Sequence, residues 1–262
     1  GGGGSIGAGL VAKAAPDGYT LGVSTLSTHA VISACNPKVP YNPVKDFKAI
    51  TNMAGSPNVL TVNPKFPAQD FKQFLTHVKK NPGKLSFATS GQCSIQQMVG
   101  EQFKVETGTD ILHVPYRGAG PALNDLLGGS VDMMFDNLPS SMQLIKSGKL
   151  KALAVTSLKR SPLAPELPTA SESGLPGFES DTWFGIYGPK GLPPEVADKA
   201  VRQLFLGAGQ MMATGAARPS DHVQEMIDYA AALGAETAAR EAAERAAEAS
   251  AKQVAVLTAS AG

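Results

Sequence analysis

Hydroxyl side chains gather in two short runs of this sequence, Thr25, Ser27 and Thr28, then Ser90 and Ser94, the second run also holding Gly91 and Cys93. Each run follows an apolar stretch and precedes a helical pattern. Hydroxyls beside a helix N-terminus suit an anion, because the first-turn N–H groups lack intrahelical acceptors and the helix dipole favours negative charge there. The same hydroxyls also serve as ordinary helix N-caps. Arg117, within Pro115-Tyr116-Arg117-Gly118-Ala119-Gly120, either clamps a carboxylate through its paired N–H donors or lies on the surface. Asp136-Asn137, closing an apolar run, either holds a ligand amine or hydroxyl or caps the helix that follows. His29, Cys93 and Ser94 include the residue types of a nucleophile and its base, yet neither Cys93 nor Ser94 sits in a G-x-S-x-G elbow, and His29, His77, His113 and His222 stand in unrelated contexts. Gly7-Ala8-Gly9-Leu10-Val11-Ala12 fits the G-x-G-x-x-A dinucleotide fingerprint but follows a glycine run instead of a strand. The other reading is a small-residue helix start packed close to a sheet.

These residues need elements to position them. Tyr19–Ser24, Val59–Val62, Leu85–Ala88, Ile111–Val114, Val131–Phe135, Leu150–Thr156 and Thr182–Tyr187 read as short strands. Thr25–Ala34 reads as a helix with a hydroxyl cap. Gln69–Lys80 carries Phe71, Phe74, Leu75 and Val78 at i, i+3, i+4 and i+7, an amphipathic helix stopped by Asn81-Pro82-Gly83. Further helices are expected from Ser94 to Lys104, around Ala122–Leu127, near Ser140–Ser147 before Gly148, and over Glu195–Leu206. Residues 158–181 show no clear element. Helical patterns at Asp221–Leu233 and Ala235–Leu257 close the chain, the latter laced with opposite charges at i,i+4. Strands alternating with helices across short loops predict an α/β fold with mainly parallel sheets.

Composition narrows the function classes. The chain has 262 residues, 43% hydrophobic and only 17% charged, with 23 Lys+Arg against 22 Asp+Glu. A net charge of +1 offers no electrostatic footprint for nucleic acid. No apolar run is long enough to span a bilayer, and no leader is read at the start. Cys35 and Cys93 are the only cysteines, open to one disulfide or two free thiols, and no Cys/His spacing suggests a metal site. No cofactor is expected.

Read in order, several stretches form a joint signature. Val11-Ala12-Lys13-Ala14-Ala15-Pro16-Asp17-Gly18-Tyr19-Thr20-Leu21, Pro40-Tyr41-Asn42-Pro43-Val44-Lys45-Asp46-Phe47, His113-Val114-Pro115-Tyr116-Arg117-Gly118 and Gly128-Gly129-Ser130-Val131-Asp132-Met133-Met134-Phe135-Asp136 are followed by Ser147–Thr156, Leu167–Gly177 and Trp183-Phe184-Gly185. Over about residues 4–200 the chain resembles the substrate-binding proteins of tripartite tricarboxylate transporters, the Bug family. Cys93 stands where the family's serine-glycine loop has a glycine, and Gln96-Gln97 follow where the family has a histidine.

The resemblance implies a two-lobed type II periplasmic-binding-protein fold, with a ligand cleft between lobes that closes by hinge motion. Lobe one is expected to combine residues 1–62 with 182–262 and to lack the family's opening strand and its PGG-containing loop; lobe two is expected over 63–181. The implied function is extracytoplasmic, periplasmic capture of a small carboxylate by a monomer that serves membrane transporter subunits, with no catalysis. The ligand contacts carried over are Thr25, Ser27, Thr28, His29, Ser90, Gly91, Cys93, Ser94, Tyr116, Arg117, Gly118, Asp136 and Asn137, with Trp183 and Phe184 near the second crossover between lobes. Two readings from other classes stand beside it. One is an enzyme acting on a small anionic substrate, nucleotide-dependent through Gly7–Ala12 or hydrolytic through Ser94. The other is the ligand-sensing domain of a regulator, for which no helix-turn-helix or basic segment is seen.

Overall fold

A computed structural model describes residues 2–213, with side chains placed up to Gln203. The chain divides into two compact units, Gly1–Val201 and Arg202–Gly262. The helices read at 221–233 and 235–257 lie outside the described residues.

In the first unit, α1 (Ser5–Ala12) precedes β1 (Gly22–Thr25), a π-helical turn (Ser27–Val31) and the short α2 (Ile32–Cys35). Then come β2 (Phe47–Val62), α3 (Phe71–Lys80), β3 (Ser86–Thr89), α4 (Ile95–Thr107), β4 (Leu112–Pro115), α5 (Ala119–Gly128), β5 (Met133–Asn137), α6 (Leu138–Lys146), β6 (Lys151–Val155) and β7 (Asp181–Pro189). The helix α7 (Pro194–Ala213) begins in this unit.

The 16-residue β2 joins two sheet regions. From Phe47 to Pro57 it pairs antiparallel with β7, whose other edge carries β1. From Asn58 to Val62 it lies between β5 and β6, antiparallel to both. Among the named strands of the described residues, only the β4–β3–β5 stretch is parallel. The sheet is therefore mixed, which corrects the expectation of mainly parallel sheets. The reason is topological: β2 carries the chain from one sheet region into the other and β7 carries it back, so the two strands run in opposite senses.

The second sheet region is buried on both faces, and its strands show why. Successive residues of a strand point to opposite faces. Phe87, Met133 and Phe135 join a core with Phe71, Phe74 and Phe103, whereas Ala88 and Met134 join Ala122, Leu126 and Leu150. The amphipathic α3 covers the first core with Phe71, Phe74 and Val78. Its start is fixed by Asp70, whose Oδ1 accepts the Gln73 N–H at 2.8 Å. Residues 158–180 form no named element, one residue short of the expected 158–181 because β7 starts at Asp181, yet Ala164, Leu167, Ala170 and Phe178 are buried.

A polar hub sits where β2 changes partner. Asn58 donates its backbone N–H to Thr156 Oγ1 at 3.0 Å and its Nδ2 to the Ser180 carbonyl at 2.9 Å. Asn58 is fully buried. Pro57, one residue earlier, has no N–H to give, so the ladder is handed over through side chains.

Candidate functional site

Beside this crossing lies a cavity of about 520 Å³. The first hydroxyl run forms one wall. Thr25 ends β1, and its backbone N–H donates to Thr28 Oγ1 at 3.0 Å while the Thr28 N–H donates to Thr25 Oγ1 at 3.3 Å. This reciprocal cap turns the chain into the π-helical turn instead of the plain helix expected there. Ser27 and Thr28 are buried against the cavity.

The second run forms the facing wall. Ser94 caps α4, its Oγ accepting the Gln97 N–H at 3.3 Å. Gln97 Oε1 accepts the Cys93 N–H at 2.7 Å, a near relative of the capping box. Ser90 Oγ donates to Gln96 Oε1 at 2.6 Å, and Gln96 is itself buried at the cavity. Asn137 and Thr182 complete the polar lining, with Phe184 and Tyr187 beside them. Among the described residues, the lining holds no side chain that is charged at neutral pH.

Six of the thirteen expected contacts therefore line one cavity: Thr25, Ser27, Thr28, Ser90, Ser94 and Asn137. The others are placed differently. His29 lies behind the wall, its Nδ1 sharing a hydrogen bond with Thr28 Oγ1 at 2.9 Å and its ring against Phe47 and Tyr187. Its Nε2 is buried without a partner among the described residues, and burial pushes its pKa below the usual histidine value. Gly91 is buried within the Ser90–Ser94 loop and does not line the cavity. Cys93 is joined to Cys35 in a disulfide, Cα to Cα 5.9 Å. Tyr116 turns to Asp125, donating its hydroxyl at 2.7 Å; burial and that carboxylate push its pKa up to about 12. Gly118 donates its N–H to the Ser90 carbonyl at 3.0 Å and so braces the loop from behind.

Arg117 is exposed between these two anchored residues and does not line the cavity, so the expected carboxylate clamp is not matched by its position. Asp136 is fully buried and outside the lining. Ser141 Oγ donates to its Oδ2 at 2.7 Å. Burial pushes its carboxyl above the usual range, while Ser141, the Asn137 amide and Gln96 pull the other way. Its Oδ1 meets no partner of good geometry among the described residues.

Gln96, Thr182 and Tyr187 were missed. Gln96 alone left a signal, since it departs from the family pattern directly after the serine loop. The motif Gly7–Ala12 lies in α1, where Gly9 packs close enough to Pro40 and Tyr41 that a Cβ would stand 3.5 Å from the proline ring. That contact is an ordinary one with a loop; the sheet is met by Ala8 and Val11, which cluster with Tyr187 of β7. Ser94 is engaged as a cap, while His29 bonds to Thr28 and His113 to Thr89, so neither histidine is hydrogen-bonded to it.

Residues 1–205 match the family described as the tripartite tricarboxylate transporter family receptor. A Pseudomonas sp. protein from a tcbD-tcbE intergenic region is 43% identical over 201 residues, which are 76% of this chain and 59% of that protein. This chain thus spans about three fifths of the length of the curated relatives it matches. A solved periplasmic transporter structure aligns with a TM-score of 0.78 at 43% identity, over 90% of this chain and 84% of that one. MatC from Rhodopseudomonas palustris, with bound malate, aligns with a TM-score of 0.74 at 32% identity, over 88% and 84%. On the match across residues 1–205, this chain belongs to the tripartite tricarboxylate transporter receptor family.

Proposed function

We propose that this chain captures a small carboxylate in the cavity between its two hydroxyl-bearing walls, acting as a periplasmic monomer that delivers the ligand to membrane transporter subunits. The observation that carries the proposal is the lining: hydroxyls and amides from two walls converge on about 520 Å³ with no charged side chain among them. That volume is in the range of small-ligand pockets, roughly 300–1,000 Å³. A carboxylate there is held by neutral donors, with the α4 N-terminus adding the favourable end of a helix dipole. Malate, bound in MatC, is a molecule of this class. The contacts proposed are Thr25, Ser27, Thr28, Ser90, Ser94, Gln96 and Asn137, with the buried Asp136 supporting the strand end behind them.

Lobe one is proposed as residues 1–62 with 182–201 of the described unit, and lobe two as 63–181. The start of β7 at Asp181 agrees with the second bound, whereas the partner change of β2 at Pro57 and Asn58 puts the first crossing about five residues before 62. Limited proteolysis is expected to leave a resistant core near 63–181; a first cut near residue 120 counts against it.

A thermal-shift panel tests the ligand class, using di- and tricarboxylates including malate, aromatic acids, amino acids and dinucleotides. A ligand at 100 times its Kd adds about 2.7 kcal/mol, a rise of about 5–10 °C for a domain of this size. Stabilisation by at least one small carboxylate is expected. Stabilisation by dinucleotides alone overturns the reading.

A further inference from the structure

We propose that the Cys35–Cys93 disulfide is a redox latch across the two cavity walls, a reading that rests on the two-lobe arrangement proposed above. Cys35 ends α2, the continuation of the wall that carries Thr25, Ser27 and Thr28. Cys93 lies in the facing loop, between Ser90 and Ser94. The bond joins positions 58 residues apart, one in each proposed lobe. It stands in addition to the crossovers at Pro57 and Asp181.

Two features distinguish Cys93 at this seam. Its side chain packs against the lobe-one cluster of Ala8, Val11, Ile32, Tyr41 and Tyr187, although its neighbours in sequence build lobe two. It is also the one residue besides glycine with positive φ among the described residues, at 60°. A non-glycine residue in that conformation is disfavoured, so surrounding contacts must hold it there. Beside the bond, Ser27 Oγ accepts the Ile95 N–H at 2.9 Å, a non-covalent stitch between the same walls.

With the disulfide formed, the walls cannot part at this point, and hinge opening is confined to whatever the remaining contacts permit. A dithiol reductant releases the latch. Its two thiols give up two electrons and two protons, the S–S bond breaks, Cys35 and Cys93 each become a thiol, and the reductant closes into its own disulfide. Ligand exchange is then faster in the reduced protein.

Hydrogen–deuterium exchange tests this without a ligand. In air-oxidised protein, non-reducing peptide mapping is expected to recover a linked Cys35–Cys93 peptide; two free thiols overturn the proposal. On reduction with dithiothreitol, amides of Thr25–Cys35 and Ser90–Ser94 are expected to exchange on the order of tenfold faster, while β3 and β5 stay unchanged. Cys35→Ser, and separately Cys35→Ser with Cys93→Gly, should reproduce the effect, glycine being at ease at the positive φ. Unchanged exchange in both walls overturns the latch. A uniform rise that includes β3 and β5 also overturns it, since the bond would then be a staple for the whole fold. A carboxylate panel with no hit sinks the ligand reading separately, because the exchange result does not depend on it.

Discussion

Ser27 and Ile95 are joined across the cavity, the Ile95 N–H donating to Ser27 Oγ at 2.9 Å with both groups buried. Ile95 is the first residue of α4, so this amide has no acceptor within its own helix. Ser27→Ala strands it. A buried donor left unpaired costs about 1–3 kcal/mol. Urea denaturation of the variant should show a loss of that size with an unchanged m-value; no measurable loss means the contact is not held in solution.

Asn58 is the second place where one side chain serves distant parts of the chain. Asn58→Ala removes the hydrogen bond that Asn58 Nδ2 donates to the Ser180 carbonyl and leaves that carbonyl with the Thr156 hydroxyl. The expected cost is about 2 kcal/mol, within the range for losing a buried polar partner. Equilibrium unfolding is the measurement. A variant as stable as the parent would show that the hub is not what ties β2 to the segment before β7.

Asp136 gives a pH signature. Burial raises its folded-state pKa, so the folded protein binds the proton more readily than the unfolded chain. Its contribution is therefore most favourable below the ordinary carboxylate value of about 3.9 and is lost as pH rises through the higher folded value. Asp136→Asn removes the buried charge and leaves an oxygen to accept from Ser141. The variant should melt higher than the parent near pH 7, about three units above the ordinary carboxylate pKa, with the gap closing on acidification. A variant that melts lower by the same amount at every pH contradicts this.

His29 has the opposite sign. Burial lowers its folded-state pKa, so stability is intact above the ordinary histidine value of about 6.5 and falls as pH drops through the lower folded value. Protonation also changes the hydrogen bond between His29 Nδ1 and Thr28 Oγ1, which supports the cavity wall. NMR titration of the imidazole should give a midpoint below the unperturbed value; a midpoint at or above it would refute the burial argument.

The proposed recognition of a carboxylate by neutral groups makes a further test. With Arg117 exposed and no charged side chain in the lining, affinity for a carboxylate found in the panel should change less than about twofold between roughly 0.05 and 0.5 M salt. Arg117→Ala should leave affinity unchanged, while Ser90→Ala and Thr25→Ala each weaken it by about 0.5–1.5 kcal/mol. Isothermal titration of the three variants decides. A strong salt slope together with a weakened Arg117→Ala would return the arginine to the site.

Much of this molecule was legible locally. The α3 periodicity, the Ser94 cap and the glycine stops depend on residues within about four positions of one another, the reach of a helical turn. The two hydroxyl runs were readable as helix-start loops for the same reason. The sequence was less informative about β2. Only Val59–Val62 showed as a strand, because residues 47–57 include several polar side chains left partly exposed, and a half-wet ribbon lacks an apolar run.

What the sequence by itself determined, among the described residues, is the helices from α3 to α7, most strands, the family signature and the residues whose chemistry fits a ligand loop. Tertiary structure alone decided which of those residues meet. Ser27 finds Ile95 68 residues away, Cys35 finds Cys93 at 58, and Asn58 finds Ser180 at 122. It also set Arg117 outside the cavity and brought Gln96, Thr182 and Tyr187 into it. Residue type states what a group can donate or accept. Its partner depends on how β2 and β7 cross between the sheet regions, and that crossing is fixed by the joint burial of two cores and by the backbone groups that must be paired where the strand changes neighbours.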